Sequence, residues 1–322
     1  MLHIDGKPVE IVCRDGVRLG GHLWPAAHRP VIGNVLINAA TGVLARYYHF
    51  YARFLAGHGF NVLTYDYRGI GQSRPLELKG CGYRWRDWGE LDTDAALIFL
   101  HRHAPDQPLL VVGHSIGGVL PGMAKSASMI DRMLTVGAQY AWWRDYAPDD
   151  CLRLFLKWHV AMPVLTALFG YFPGRKLGWL EDLPAGVANE WSFRTARLEK
   201  SQKPETRAAL LQGFAGVTAP ILAIALSDDE IGTPRAILRA LDYYSGAEKT
   251  AVLLTPNDFG FDRIGHFGVF HARHAAGFWL DSLLWLRDGI NPWPGKRIEP
   301  AAIETEPMPW LNRRHMKYNG LI

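Results

Sequence analysis

Apolar positions along the chain fall into two kinds of run that alternate. Residues 9–14 and 17–24 are strand-like and joined by Asp15-Gly16, which predicts a β-hairpin. Residues 31–38, 60–66, 108–113, 133–138, 220–226 and 250–254 are short, nearly continuous apolar runs of the kind that form strands buried on both faces. Between them lie stretches with helical periodicity. In 44–58, Tyr47, Tyr48, Tyr51, Phe54 and Leu55 share a face, and helices are also predicted over 87–103, 115–129, 234–244 and 270–286. Strand–helix alternation of this kind predicts an α/β fold, with a mostly parallel central sheet and helices on both faces.

The alternation breaks off near residue 140 and resumes near 218. We therefore expect a core formed by 1–139 and 218–287, interrupted by an inserted helical lid at 140–217. A tail, 288–322, contains Pro292, Pro294, Pro300, Pro307 and Pro309 without periodicity, and is expected to wrap over the surface or be partly mobile. Five of the chain's 12 tryptophans fall in the insert: Trp142, Trp143, Trp158, Trp179 and Trp191. The insert also holds the most apolar run, Val160 to Phe172, with Pro163 expected to kink or end its helix. The run falls short of the roughly 20 residues that a spanning helix needs, so it reads as a buried or interfacial helix without stable membrane insertion.

Composition narrows the functional classes. Among 322 residues, 35 Lys and Arg stand against 31 Asp and Glu, a net charge of +4 that is too small and dispersed for a nucleic-acid partner. Cys13, Cys81 and Cys151 form no CxxC, which excludes a disulfide scaffold or Cys-rich zinc site and fits a reducing cytosol. The first ten residues have no basic stretch followed by an apolar run, so a cytoplasmic location is expected. The oligomeric state is not readable.

The chemistry is concentrated in Leu109-Leu-Val-Val-Gly-His-Ser-Ile-Gly-Gly118. Gly113-x-Ser115-x-Gly117 sits between a buried strand and a helix, the setting of a nucleophile elbow. There a serine on a tight turn projects from the C-terminal edge of the sheet, beside N–H groups that favour developing negative charge. A serine needs a base, and the base needs an orienting carboxylate. Asp228 and Asp229 follow the strand at 220–226, and His266 lies in a Gly-flanked loop before the last helix. His114, pinned beside the nucleophile, reads as structural.

Gly113-His-Ser-Ile-Gly-Gly118, Asp66-Tyr-Arg-Gly-Ile-Gly-Gln-Ser73, Asp229-Glu-Ile-Gly-Thr-Pro234 and Gly265-His-Phe-Gly268 together resemble the α/β-hydrolase family of serine hydrolases. Trp143-Arg-Asp-Tyr146, Trp158-His159, Gly170-Tyr-Phe-Pro-Gly174, Glu181-Asp-Leu-Pro-Ala-Gly186 and Glu190-Trp191 resemble, more narrowly, the Trp-rich lid of a bacterial group of predicted α/β-hydrolases. The wider resemblance selects Asp229 over Asp228 as the carboxylate. It also implies an oxyanion hole made by the N–H of Ile116 and one from the loop after the third strand. In that loop Asn38-Ala39 stands where the family has His-Gly, so Ala40 is the expected donor, with Ala39 as the alternative.

Other signals weigh less. Gly69-x-Gly71 lacks the third glycine of a dinucleotide fingerprint, and no GxxxxGK[ST] is present. His271 and His274, expected on one face of the last helix, and Asp149-Asp150 lack further ligands and read as surface groups. The expected function is hydrolysis of a carboxylic ester, or of an amide or thioester, through an acyl-serine intermediate. Ser115, His266 and Asp229 would form the triad, with no cofactor and no metal. The partner would be a small acyl substrate, with Trp158 and Phe169 as candidate walls of its pocket. An acyltransferase using the same triad is the alternative among enzymes, and a non-catalytic binder on the same fold is the alternative outside them.

Overall fold

The computed structural model describes residues 4–299. Ten strands form in chain order: β1 (Lys7–Val12), β2 (Arg18–Trp24), β3 (Gly33–Asn38), β4 (Phe60–Tyr65), β5 (Leu109–His114), β6 (Arg132–Val136), β7 (Tyr171–Phe172), β8 (Leu183–Pro184), β9 (Ile221–Leu226) and β10 (Lys249–Leu254). Eight of them build one sheet in the order β1-β2-β4-β3-β5-β6-β9-β10, and β7 and β8 pair separately. Only β1–β2 and β2–β4 are antiparallel in the large sheet. Strands β3, β4, β5 and β9 are buried along their whole length, as continuous apolar runs covered on both faces must be.

The helices include α1 (His49–Gly57), α2 (Asp94–His103), α3 (Cys151–Phe169), α4 (Ala185–Ser192), α5 (Pro204–Ala215), α6 (Pro234–Leu241) and α7 (Phe278–Leu283). α1 buries Tyr51 and Leu55 of the predicted face together with Ala52 and Ala56, while Phe54 is half-buried. Arg68, buried after β4, donates to Asp92 at 2.6 Å and to Asp15 at 2.6 Å, which ties the hairpin turn at Asp15 to the β4 loop. Satisfying the charge on both sides is what makes its burial tolerable.

Three local expectations are corrected. Residues 115–129 do not form one helix; they form three short 3-10 segments, Ser115–Gly118, Leu120–Met123 and Lys125–Met129, because Pro121 lacks the N–H that would continue the first and Ala124 is extended between the second and third. The last helix does not begin at 270. Gly268–Phe270 and Ala272–His274 are separate 3-10 turns, and His274 is fully buried between Phe259 and Phe261, not on the surface. Pro163 does not end the apolar helix. It occupies the first turn after a π-helical stretch at Leu156–Ala161, where the missing N–H is tolerated, so α3 runs on to Phe169 and stops at Gly170 in the left-handed region. Because it starts back at Cys151, α3 is one helix long and apolar enough by length and composition to cross a membrane.

The tail beyond 288 lies along β10 as far as it is described. Ile298 donates its N–H to Ala251 O at 2.9 Å, and Trp293 stacks on Phe278. Pro300, Pro307 and Pro309 lie outside the described residues.

Parallel register aligns the strand ends. Asn38 pairs with Gly113, His114 with Val136, Val136 with Ile224, and Leu226 with Leu254, so the loops after β3, β5, β6, β9 and β10 emerge at one edge. Side chains on those loops converge there.

Candidate active site

Ser115 begins the first 3-10 turn after β5, with φ +55°, a left-handed backbone that a serine adopts only at a cost of about 1–3 kcal/mol. The two flanking glycines are required by close approach. A Cβ on Gly113 would lie 2.4 Å from the Gly118 Cα, and one on Gly117 would lie 2.3 Å from the Asn38 carbonyl oxygen. Asn38 also donates its side-chain amide to Gly117 O at 3.2 Å, which binds the β3 loop to the turn.

The two aspartates after β9 take different parts. Asp229 Oδ2 lies 2.7 Å from His266 Nδ1, while its Oδ1 accepts the N–H groups of Ile231 (2.9 Å) and Gly232 (2.7 Å). Asp228 faces the same loop from outside: its Oδ2 accepts the N–H of Ile264 (2.7 Å) and of Gly265 (2.9 Å), holding the backbone that carries His266. Asp229 and His266 are both buried. Burial alone would raise the Asp229 pKa, but the charge and hydrogen bond of His266 and the two N–H donors outweigh it and hold the carboxyl below its ordinary value. Burial likewise opposes protonation of His266, and the Asp229 charge and hydrogen bond overcome it, leaving the imidazole pKa raised.

Ser115 Oγ accepts a hydrogen bond from Gln139 Nε2 at 3.1 Å. Among the described residues no hydrogen bond joins Ser115 to His266, although both line the same cavity. Gln139 is itself fixed, its Oε1 accepting the Ala141 N–H, and Ala141 sits at φ +61°. Sequence reading missed this residue. Its signal was position: a polar side chain three residues past a central parallel strand, at the edge where ligands bind.

His114 links the parts of the site through a directed chain. Its Nε2 is 2.9 Å from His266 O, a carbonyl that can only accept, so Nε2 carries the hydrogen. Nδ1 therefore accepts from the Tyr48 hydroxyl at 2.7 Å, and that oxygen in turn accepts the Ala40 N–H at 3.0 Å. Burial pushes the His114 pKa down to about 3, consistent with a neutral ring. The same chain shows that the Ala40 N–H, expected to be open to an oxyanion, is taken up by Tyr48 in this structure. Ala40 and Ile116 both line the cavity.

The cavity holds about 200 Å³, and Trp85, Trp158, Trp179 and Trp191 line it, with Lys157, Arg153 and Glu230 among the charged groups. Lys157 Nζ lies 4.4 Å from the Trp158 ring centre and 4.5 Å from that of Trp179. Trp158 is thus where the sequence placed it. Phe169 is not: it is 44% exposed, its ring faces Lys176, and it does not line the cavity. It lies eleven positions beyond Trp158, at the far end of α3, past the stretch that reaches the cavity. No group of three or more His, Cys, Asp or Glu able to hold a metal occurs among the described residues.

A parallel sheet of this order with a serine on a strained turn after β5 defines an α/β-hydrolase, and the chain is a serine hydrolase of that fold. The family model for serine aminopeptidase, S33, matches residues 34–196, just over half of the chain, and the chain belongs to that family. No curated protein matches it. Among solved structures, monoglyceride lipase from Saccharomyces cerevisiae, in a soluble variant bound to a substrate analogue, is similar with a TM-score of 0.63 at 18% identity, covering 87% of this chain and 95% of that one. An esterase from Pyrococcus furiosus is similar with a TM-score of 0.53 at 16% identity, covering 87% and 91%. A hypothetical protein from Pseudomonas aeruginosa is similar at 0.56 and 15%, covering 90% and 94%. Likeness at this identity speaks for the fold.

Proposed function

We propose that the chain hydrolyses carboxylic esters through an acyl-serine intermediate. The observation that carries this reading is the 2.7 Å contact of His266 Nδ1 with Asp229 Oδ2 in the cavity that also holds Ser115 on its strained turn. With Nδ1 donating to the carboxylate, His266 Nε2 is left as the basic atom. Ser115 Oγ attacks the ester carbonyl carbon and its proton passes to Nε2. The tetrahedral oxyanion is met by the Ile116 N–H together with the β3 loop at 39–41. The imidazolium returns the proton to the departing alcohol, and water repeats the sequence on the acyl-serine. In the resting site Ser115 Oγ accepts from Gln139, so its own hydrogen stays available for transfer to His266 Nε2.

The cavity favours an apolar acyl group, because four indole rings are among its walls. The residues between β6 and β9 act as a lid in this reading: α3 and α4 bring Trp158 and Trp191 over the serine and exclude water from the acyl pocket. That an esterase and a monoglyceride lipase share the fold supports an ester over the peptide bond named in the family description.

The test is labelling by a fluorophosphonate together with turnover of p-nitrophenyl esters. The parent protein should react and turn over, and Ser115→Ala should do neither. Labelling without turnover of any ester would overturn the ester reading, and no labelling would overturn the nucleophile.

A further inference from the structure

α3 is apolar on both of its long sides. Its inner row, Leu154, Trp158, Met162 and Thr166, recurs every fourth residue and is buried. Offset by two positions, Leu152, Leu156, Val160, Val164 and Leu168 form a second row at the same spacing, and every one is exposed, from 42% at Val160 to 74% at Leu168. Side chains four apart stack along one side of a helix, so this outer row is a continuous aliphatic ridge. Phe169, also exposed, follows Leu168 at the far end. A helix on a water-facing domain carries polar groups opposite its buried stripe; a helix apolar all round belongs in a core or in a bilayer.

We propose that this outer face of α3 rests on the surface of a lipid bilayer, parallel to it, with the aliphatic ridge at the acyl boundary and Phe169 at headgroup level. The helix lies on the membrane and does not cross it. Crossing would strip the inner row from its packing and break the bonds that hold it: Ser192 Oγ donates to Trp158 O at 2.7 Å, and His159 Nδ1 meets Ser192 O at 2.7 Å. The charges at the rim fit lipid better than a second copy of this chain. Arg153 pairs with Asp150, and Arg175 lies 3.8 Å from Glu181, but the described contact of the Lys176 side chain is the Phe169 ring, with no carboxylate in ion-pair range. α3 carries no Asp or Glu, so a second copy of the helix would offer Lys176 no partner, whereas anionic headgroups would complement it. The ridge itself offers only aliphatic carbon, which suits acyl chains.

The same helix lines the cavity with Leu154, Lys157 and Trp158, so one side of it faces the serine and the other the bilayer. An amphiphilic ester could then enter without leaving the interface. The surface inference stands on the exposed ridge alone and does not require ester hydrolysis.

The experiment is flotation of the full chain carrying Ser115→Ala, which prevents lipid turnover, with vesicles of phosphatidylcholine with or without phosphatidylglycerol. The protein should float with both, more with phosphatidylglycerol, and only that excess should fall with salt or with Lys176→Gln. Leu156→Glu with Leu168→Glu should lower the bound fraction at least about tenfold while melting at the parent temperature, since neither residue is buried. Leu280→Glu, at an exposed leucine on α7, should bind as the parent does. No flotation with either vesicle, or equal flotation of the double Glu variant, overturns the proposal. So does a parent dimer that the double variant dissolves while vesicles go unbound, which would assign the ridge to a second copy. Vesicle binding without turnover of any ester by the unsubstituted chain would leave this inference standing and remove the proposed function.

Discussion

Gln139 donates its side-chain amide to Ser115 Oγ at 3.1 Å, so the hydroxyl oxygen accepts in the resting site and its own hydrogen is free to be given away. As that hydrogen leaves, the oxygen gains charge and the same amide contact becomes charge-assisted, worth roughly 1.5–3 kcal/mol. Gln139→Ala should therefore lower kcat/KM by about 10- to 100-fold without moving the pH dependence. Gln139→Glu should lower it further and shift the acidic limb upward, because a carboxylate beside the site favours the imidazolium. A faster Gln139→Ala variant would show instead that the glutamine restrains the serine from His266.

The acidic limb itself follows from the electrostatics of the pair. Only neutral imidazole can accept the serine proton, so activity is lost as pH falls through the His266 pKa. Burial lowers that pKa, but Asp229 more than offsets it, and the net shift is upward. The limb should thus lie above the ordinary histidine value of about 6.5. A kcat/KM profile with its half-point at or below that value would contradict the pairing, and in Asp229→Asn the residual activity should titrate at lower pH than in the parent.

Asp228 and Asp229 separate by what they hold. Asp229 orients the imidazole, so Asp229→Asn should reduce kcat by roughly 10³- to 10⁴-fold. Asp228 accepts two backbone N–H groups, a task an amide oxygen still performs, so Asp228→Asn should stay within about threefold. Asp228→Ala leaves both N–H groups unpaired and should cost about 1–3 kcal/mol in stability, read from denaturant melts. A severe Asp228→Asn defect in kcat alone would exchange the two assignments.

The sheet was legible because its signals are local: continuous apolar runs for the central strands, Asp15-Gly16 for the hairpin, and a serine between glycines at a strand end. The choice between two adjacent aspartates was not legible from the residues, since one position along the loop turns a carboxylate from the imidazole to the backbone of residues 264 and 265. The Tyr48–His114 chain joins residues far apart in sequence and depends on side-chain direction, which periodicity does not encode. The helix expected at 115–129 failed because its apolar pattern ignored Pro121 and the tight packing of Gly118, where a Cβ would lie 2.6 Å from that of Ala138. The exposed ridge of α3 was hidden by composition: the run at 160–172 is apolar whichever side faces the core.

Trp158 and Phe169 were paired by sequence as candidate walls of one acyl pocket, and the structure sets them on different surfaces. Trp158 lines the cavity, is 4% exposed and stacks on Trp191 at 4.6 Å between ring centres; Phe169 is 44% exposed and lies at the end of the outer ridge. If the cavity receives the acyl chain, each buried CH₂ contributes about 0.8 kcal/mol, roughly fourfold in kcat/KM when held equally in the transition state. Medium-chain p-nitrophenyl esters should then exceed acetate by at least about tenfold. Trp158→Ala removes a stacked wall and should narrow that gap, at a stability cost of about 3–5 kcal/mol for emptying an indole-sized site. Phe169→Ala should leave the gap unchanged and move the melting temperature less than Trp158→Ala does, because Phe169 is 44% exposed and does not line the cavity. Chain-length profiles and melting curves on the two variants separate the outcomes. Should Phe169→Ala narrow the gap as Trp158→Ala does, the acyl path must run along the outer side of α3. A parent that cleaves acetate and longer esters alike would remove the acyl pocket, leaving the indoles to hold the segment between β6 and β9 together.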